Sequence, residues 1–174
     1  LSQLVLSPEK TSEALQFVSS LSEAEREHLL KIADSNHVVM RGMSVLKRAA
    51  QQTGDDVIAY WTTRTIERET SRIGNAVTHL DRIVRELEGN GCPTVVMKSL
   101  DHWPDLGNDL DLYSTATESQ VVDVFTKKLR AAIEPRSLGD RLAQKWNFQI
   151  PGLRESVECH VQRLGQTGEH TVMA

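Results

Sequence analysis

The spacing of apolar residues changes at the segment EGNGCP, which starts at Glu88. Before this segment, apolar residues recur every three or four positions, which is the period of an amphipathic helix. After it, they recur every second position, which is the period of a strand with one buried face. Within it, Gly89 is predicted to end a helix in the left-handed conformation, and Pro93 to prevent the helix from restarting. We therefore predict an α+β protein, with a helical subdomain over residues 1–89 and a mixed-sheet core with packed helices over residues 90–174.

Start and stop signals predict four helices in the first half. Ser7, followed by proline, is a typical helix start, and Ser22 with Glu25 three residues later is a capping box. A third helix is predicted over the segment HVVMRGMSVLKRAAQQ, because the breaker TGDD follows it. The fourth and longest helix is predicted over residues 55–88.

The helix predicted over residues 55–88 carries an apolar stripe with a period near 3.5 residues. Its members are Ile66, Ile73, Val77, Leu80, Val84 and Leu87. Such a stripe is typical of a helix packed lengthwise on other helices, and Trp61 is predicted to join the same core. The stripe therefore indicates a scaffold, with a partner-binding or dimerising surface on this helix as the alternative.

In the second half of the chain, the spacing of apolar residues predicts two strands, a helix and two further strands. The strands TVVMKSL and DLDLYS are joined by the loop DHWPDLG, the helix is ATESQVVDVFTKKLRAA, and the strands KWNFQI and ESVECHVQ are joined by a PGLR hairpin turn. In the last strand, Val157, Cys159 and Val161 share one face, opposite Glu158 and His160. This order predicts a sheet with a helix packed on it.

Asp109 and Asp111 stand two residues apart in a strand, so both carboxylates project from the same face. Side-by-side carboxylates are tolerable when a divalent cation lies between them, and Mg²⁺ shares such oxygen ligands with substrate phosphates. Two ions about 3.5–4 Å apart hold both oxygens of an in-line phosphoryl displacement. Glu158 is the candidate third ligand, or the base that accepts a proton from an attacking hydroxyl. The alternatives are a solvated strand face for the aspartates and an ordinary edge-strand acid for Glu158.

The order of these motifs resembles the signature of the DNA polymerase β-like nucleotidyltransferases. In that superfamily a strand ends in Gly-Ser or Gly-Gly, the next strand carries Asp-x-Asp, and a later strand supplies a third acid. The match is similar to bacterial nucleotidyltransferase-like families that carry Leu-Lys-Gly, Gly-Asp-Ile-Asp-Leu and acid-x-His in this order. Here the corresponding segments are MKS, GNDLDL and ECH, and the resemblance covers about residues 90–164.

This resemblance implies that a nucleoside monophosphate moves from a nucleoside triphosphate, such as ATP, to an acceptor, with Mg²⁺ or Mn²⁺ as cofactor. Asp109, Asp111 and Glu158 would be the catalytic and metal-binding residues. The residues implied to bind the nucleotide are Lys98, Ser99, Gly107, Asn108 and His160. Ser99 would contact the β- or γ-phosphate, and His160 has hydrogen bonding to a carboxylate as an equal alternative. The glycine usual at the phosphate turn is replaced in this chain.

Composition narrows the predicted partners and location. The formal net charge of −4 argues against a polynucleotide acceptor, so we expect a small-molecule or protein acceptor. Cys92 and Cys159 lack Cys-x-x-Cys spacing, which favours a reducing, cytoplasmic setting. No apolar run approaches the roughly 20 residues that cross a bilayer, so no membrane association is expected. Because the chain begins with Leu1 and ends in HTVMA, we expect a fragment, truncated at its C-terminus.

Two other functions fit the same sequence. The first is a regulatory, antitoxin-like member of the nucleotidyltransferase fold that binds or modifies another protein. The second is a non-enzymatic helical adaptor whose α+β half is structural only; Asp109→Asn and Asp111→Asn would then raise its stability, and Mg²⁺ would have no effect. Of these three functions, we predict the metal-dependent nucleotidyltransferase.

Overall fold

A computed structural model describes residues 8–164 and 170–171 of the chain. Ser7 and the chain ends, on which the first helix cap and the truncation were predicted, lie outside these residues. The α+β class is confirmed, because helices and a five-stranded mixed sheet both occur. Within the described ranges, no helix has the length and apolar character needed to cross a bilayer. The nucleotidyltransferase arrangement of the fold stays a prediction.

The chain forms two compact units. The first unit joins residues 1–73 with 102–107, and the second joins residues 74–101 with 108–174. The domain bounds 1–89 and 90–174 stay a prediction.

The first half of the chain forms four long helices. They are α1 (Thr11–Ser20), α2 (Glu23–Ser35), α3 (Val39–Thr53) and α4 (Asp56–Gly89), with a 3₁₀ turn at Pro8–Lys10 ahead of α1. The Ser22 capping box is confirmed, because the Ser22 hydroxyl accepts the Glu25 N–H and a Glu25 carboxylate oxygen accepts the Ser22 N–H at 2.8 Å. Helix α3 stops as predicted, at Gly54 in the left-handed conformation.

The core of the first unit is apolar and closely packed. Met43, Leu46 and Ala50 of α3 are fully buried in it together with residues of α1, α2 and α4. Trp61 packs against this cluster while partly buried, so its predicted core position is confirmed.

The buried stripe of α4 differs in part from the predicted one. Its buried residues are Ile58, Thr62, Thr65, Glu69, Ile73, Ala76, Leu80, Ile83 and Leu87. These steps of three and four average close to 3.6, the period of a straight helix, whereas a 3.5 stripe drifts around the helix surface. Val77 is 38% exposed, so its assignment to the stripe was wrong, and the small Ala76 is buried instead. A dimerising surface on this helix stays a prediction.

Helix α4 ends at Gly89, but the left-handed residue that closes it is a different glycine from the predicted one. Gly91, not Gly89, has the left-handed φ of 78°. The Gly91 N–H donates to the Glu88 carbonyl at 3.0 Å, and the Cys92 N–H donates to the Leu87 carbonyl at 2.9 Å. These two bonds form a Schellman motif, which satisfies carbonyls that the helix end would leave free.

The second unit is built on a five-stranded sheet. Its strands are β1 (Thr94–Met97), β2 (Asp109–Ser114), β3 (Ala132–Ile133), β4 (Lys145–Gln149) and β5 (Ser156–Val161), in the order β1-β2-β5-β4-β3. All neighbours are antiparallel except β2 and β5, which are parallel. The four predicted strands are confirmed, as is the β4–β5 hairpin, whereas β3 was not predicted. Short strands β6 (Arg163–Leu164) and β7 (His170–Thr171) form a separate pair.

The two faces of this sheet differ in character. On one face, Leu110, Leu112, Val157, Cys159 and Phe148 are fully buried. Helix α5 (Glu118–Asp123) continues into a π-helical turn (Val124–Lys128) whose Phe125 ring stacks on Phe148, with ring centroids 3.9 Å apart. The predicted packing of this helix on the sheet is therefore confirmed. The other face carries the polar residues of β2, β4 and β5.

The loop between β1 and β2 is held within the first unit. Asp105, only 1% exposed, accepts the Met40 N–H and the Arg41 Nε–H, the latter at 2.9 Å. It thereby caps α3, whose preceding residue Val38 makes no side-chain cap bond. The Leu106 carbonyl also accepts a hydrogen bond from Arg72 at 2.9 Å. These contacts give Asp105 a structural role in the helical unit.

Candidate functional site

Strands β2 and β5 place two predicted metal ligands side by side. The Cα partner of Asp111 across the parallel pair is Glu158, and the partner of Tyr113 is His160. Directly paired residues project from the same face, so the two carboxylates are neighbours. The prediction that the Glu158 strand lies beside the Asp-x-Asp strand is therefore confirmed.

Three side chains converge on this face. Asp111, Glu158 and His160 each offer one ligand atom, and these atoms all lie within 4.8 Å of one another. Asp109 does not belong to this group; it is exposed at the first position of β2, opposite Ser156. The structure thus brings together two of the three predicted carboxylates and adds an imidazole.

Glu158 has two hydrogen-bonding partners. One carboxylate oxygen lies 2.8 Å from His160 Nε2, and the other lies 3.0 Å from Lys145 Nζ. The His160 bond, followed by the Lys145 bond and charge, lowers the pKa of Glu158 to about 2, although burial acts in the opposite direction. A carboxylate with so low a pKa is a weak base at neutral pH. This arrangement favours Glu158 as a ligand over Glu158 as a proton acceptor, and shows the His160–carboxylate bond that the sequence left as an alternative.

Asp111 lies in the opposite electrostatic situation. Its side chain is buried, and this burial raises its pKa, with the charges of Asp109 and Glu158 acting in the same direction. Lys98 opposes the shift with its Nζ 3.9 Å from Asp111 Oδ1, but the Lys98 side chain is 69% exposed and screened by water. The ionised form of Asp111 is therefore under-compensated, which is the condition that a bound cation would relieve.

A partly buried ion pair extends the site towards α6 (Leu138–Leu142). Lys145 Nζ lies 3.1 Å from Asp140 Oδ1, and the other Asp140 oxygen accepts the Ser137 N–H at 2.9 Å in a capping box. The Ser137 hydroxyl donates to the same oxygen at 2.6 Å, and this bond is the main cause that lowers the pKa of Asp140 to about 2. Burial alone would lower the pKa of Lys145, but its bonds to Glu158 and Asp140 outweigh burial and raise it. The signal that could have identified Asp140 in the sequence is its place in the Ser-x-x-Asp capping pattern.

Lys98 and Ser99 form the turn after β1. Lys98 has a left-handed φ of 47°, a conformation that costs a non-glycine residue roughly 1–2 kcal/mol. The Ser99 hydroxyl accepts the Asp111 N–H at 2.8 Å and donates to the Met97 carbonyl at 2.9 Å, and the Ser99 N–H donates to the same carbonyl. The Ser99 hydroxyl therefore holds Asp111 in place by accepting the backbone N–H of Asp111. Its contact with a phosphate stays a prediction and would require these bonds to be exchanged.

Gly107 and Asn108 use their backbones within separate units. The Gly107 carbonyl accepts a hydrogen bond from Arg72 at 3.3 Å in the first unit. The Asn108 carbonyl accepts the Ser156 N–H at 3.2 Å, next to the β2–β5 ladder in the second unit. Their role in nucleotide binding stays a prediction.

Comparisons with known proteins add no relative to this picture. The chain matches no protein-family model, no curated protein and no solved structure. The functional interpretation therefore rests on the residues of the site.

The three converging residues fit one divalent cation. Asp111 and Glu158 supply carboxylate oxygens, and the pKa of Asp111 is raised, first by its burial and then by the charges of Asp109 and Glu158. His160 Nδ1 is buried and has no hydrogen-bond partner among the described residues. A second cation would depend on the exposed Asp109 and on substrate oxygens.

Proposed function

We propose that this protein is a metal-dependent nucleotidyltransferase that moves a nucleoside monophosphate from a nucleoside triphosphate to a small-molecule or protein acceptor. The observation that carries the proposal is the pairing of Asp111 with Glu158 on parallel neighbouring strands. Asp109 adds a third carboxylate on the same face, two residues from Asp111. This set of carboxylates is what metal-assisted phosphoryl transfer requires.

Each side chain has a distinct part in the proposal. Asp111 and Glu158 hold Mg²⁺ or Mn²⁺, which supplies positive charge to the phosphate oxygens. Asp109, exposed beside them, would complete the metal site once the triphosphate provides further oxygens. Lys98, whose side chain is 69% exposed near Asp111, would turn its ammonium to the phosphates as a point charge.

The charges of the site support this assignment. Asp111 and Glu158 have oxygens within 4.8 Å of each other, so both in ionised form repel. Lys145 and His160 hold Glu158, whereas the exposed Lys98 compensates Asp111 weakly. A cation that binds both carboxylates would remove this repulsion.

A regulatory, metal-free member of the same fold is the second candidate. It is favoured by the internal partners of Glu158, because His160 and Lys145 satisfy both of its oxygens without a cation. In that case the polar face would be a stable ion-pair network, and the protein would act by binding a partner.

A set of thermal melts separates these candidates. The wild-type chain and the Asp109→Asn/Asp111→Asn variant are melted in Mg²⁺, Mn²⁺ or EDTA, with and without each of the four triphosphates. The matched control is Asp81→Asn/Asp123→Asn, which removes two exposed aspartates of the second unit that pair with Arg85 and Lys127. A ligand that binds only the native state raises the melting temperature.

The proposal expects a rise that requires both metal and triphosphate, is lost in the site variant and is kept in the control. A rise with metal but none with any triphosphate would contradict nucleotidyl transfer. The absence of any rise in the wild-type chain would favour the metal-free regulatory candidate.

A further inference from the structure

We propose that His160 is a direct metal ligand, so that the site selects a transition-metal ion over Mg²⁺. This inference rests on the proposed function in one respect, since it names the cation of the same site. It replaces the expected set of three carboxylates with two carboxylates and one imidazole.

The first step is the position of the candidate ligands. One nitrogen of His160 lies within 4.8 Å of the ligand oxygens of Asp111 and Glu158. Asp109 is outside this group, and its cross-strand partner is Ser156 rather than an acid. The buried part of the site therefore offers nitrogen as its third ligand.

The second step is the unused capacity of the His160 ring. A neutral imidazole has one N–H and one lone pair, and the hydrogen bond to Glu158 uses one of its two nitrogens. The other nitrogen, Nδ1, is buried and unpartnered among the described residues, on a side chain that is 10% exposed. A buried polar atom without a partner costs free energy, so the ring is held in an arrangement that a further ligand interaction would improve.

The third step is the chemistry of the donor set. Mg²⁺ prefers oxygen ligands in an octahedral arrangement and dehydrates reluctantly. Imidazole suits Zn²⁺, Fe²⁺, Ni²⁺ and Cu²⁺, and the affinity of a site with nitrogen and oxygen ligands generally rises from Mn²⁺ to Cu²⁺ and falls again at Zn²⁺. Asp111 and Glu158 supply oxygen and His160 supplies nitrogen, so the buried part of the site is such a mixed set of ligands.

The experiment uses Mn²⁺ as a spectroscopic probe of the wild-type chain. Pulsed electron paramagnetic resonance detects nuclear modulation from a nitrogen bound to Mn²⁺. Labelling histidine with ¹⁵N then changes the modulation frequency if the bound nitrogen is imidazole. This measurement needs no substitution, so it does not depend on whether a variant folds.

A His160→Gln variant supplies the second measurement, with His28→Gln, an exposed histidine of α2, as the matched control. Dissociation constants for Mg²⁺, Mn²⁺ and Zn²⁺ are measured for all three proteins by competition titration. We expect His160→Gln to weaken Zn²⁺ and Mn²⁺ binding by at least about tenfold, to change Mg²⁺ binding much less, and so to reduce the preference over Mg²⁺. The control should keep the wild-type preference.

The outcomes separate this inference from the proposed function. Mn²⁺ bound without histidine modulation, or an unchanged metal preference in His160→Gln, would overturn the histidine ligand and leave the nucleotidyltransferase proposal standing. Histidine-bound Mn²⁺ without any response to triphosphates would support the ligand and overturn the nucleotidyltransferase. No binding of any of the three metals by the wild-type chain would overturn both.

Discussion

The Asp111→Asn variant should be more stable than the wild-type protein without metal and less stable than the wild-type protein with metal. Oxygens of Asp111 and Glu158 lie within 4.8 Å. Two unit charges at that separation repel by about 1 kcal/mol in a water-like medium and by about 3.5 kcal/mol at an effective dielectric constant of 20. The attraction of Lys98, which is mostly exposed, offsets part of this.

We therefore expect Asp111→Asn to raise the free energy of unfolding in EDTA by about 1–2 kcal/mol, which is roughly 2–8 °C in melting temperature for a chain of this size. The gain should shrink as the pH falls. Because the folded pKa of Asp111 is raised, its ionised form destabilises the fold above that pKa, and protonation removes the penalty below it.

Metal should reverse the order of stability. At about 100 times its dissociation constant, Mn²⁺ would stabilise the wild-type chain by about 2.7 kcal/mol, and the variant would gain much less. Urea unfolding at neutral pH, in EDTA and in Mn²⁺, measures both effects. Asp81→Asn, which removes an exposed aspartate paired with Arg85 at 3.0 Å, is the control and should change stability by less than about 1 kcal/mol in either condition. The reasoning is refuted if Asp111→Asn is destabilising in EDTA, or if its advantage persists in Mn²⁺.

Three further predictions concern Glu158, Asp105 and the two cysteines. Glu158→Gln should lower the free energy of unfolding at neutral pH by roughly 1–3 kcal/mol. The folded pKa of Glu158, about 2, lies below the ordinary 4.5, so this loss should disappear as the pH falls from 4.5 towards 2, which urea unfolding at several pH values measures. Asp105→Ala should cost roughly 2–4 kcal/mol in urea unfolding, because it removes the α3 cap and the Arg41 partner; a loss below about 1 kcal/mol would contradict that role. Cys92 and Cys159 are fully buried free thiols, and burial raises the pKa of Cys159 to about 12. Mass spectrometry should therefore find neither thiol alkylated by iodoacetamide until the protein is unfolded. Rapid labelling of the native protein would contradict the fold around them.

Local patterns predicted much of the fold because they act over a few residues. The Ser22 capping box and the two-residue alternation of β5 are confirmed, since each is decided by neighbours along the chain. The same alternation placed Glu158 and His160 on one polar face. The expectation that the Glu158 strand lies beside the Asp-x-Asp strand is confirmed, whereas the register that pairs Asp111 with Glu158 was not predicted.

The features that the sequence did not predict depend on contacts between residues far apart in the chain. Asp105 caps a helix that lies more than 60 residues earlier in the sequence, and no local signal indicates that contact. Lys145 reaches Glu158 because β4 pairs with β5, and Asp140 reaches Lys145 because α6 packs on β4. The left-handed conformation at Gly91 rather than at Gly89 was a choice between two glycines that stand two residues apart.

The candidate site shows the same division. Asp109 and Asp111 have the same residue type and share a strand face, but Asp109 begins β2 and is exposed, whereas Asp111 lies two residues further along and is buried. Sequence spacing does not show where a strand becomes covered. The convergence of His160 with the carboxylates likewise depends on side-chain positions that the pattern leaves open.

The central claim is that the Asp111–Glu158 face binds a nucleoside triphosphate together with a divalent cation. Its most direct test is isothermal titration of a non-hydrolysable triphosphate analogue of each base into the wild-type chain, once in Mn²⁺ and once in EDTA. We predict that at least one analogue binds in Mn²⁺ and does not bind in EDTA. Binding that is equal in both conditions, or no binding of any analogue in Mn²⁺, would contradict the account.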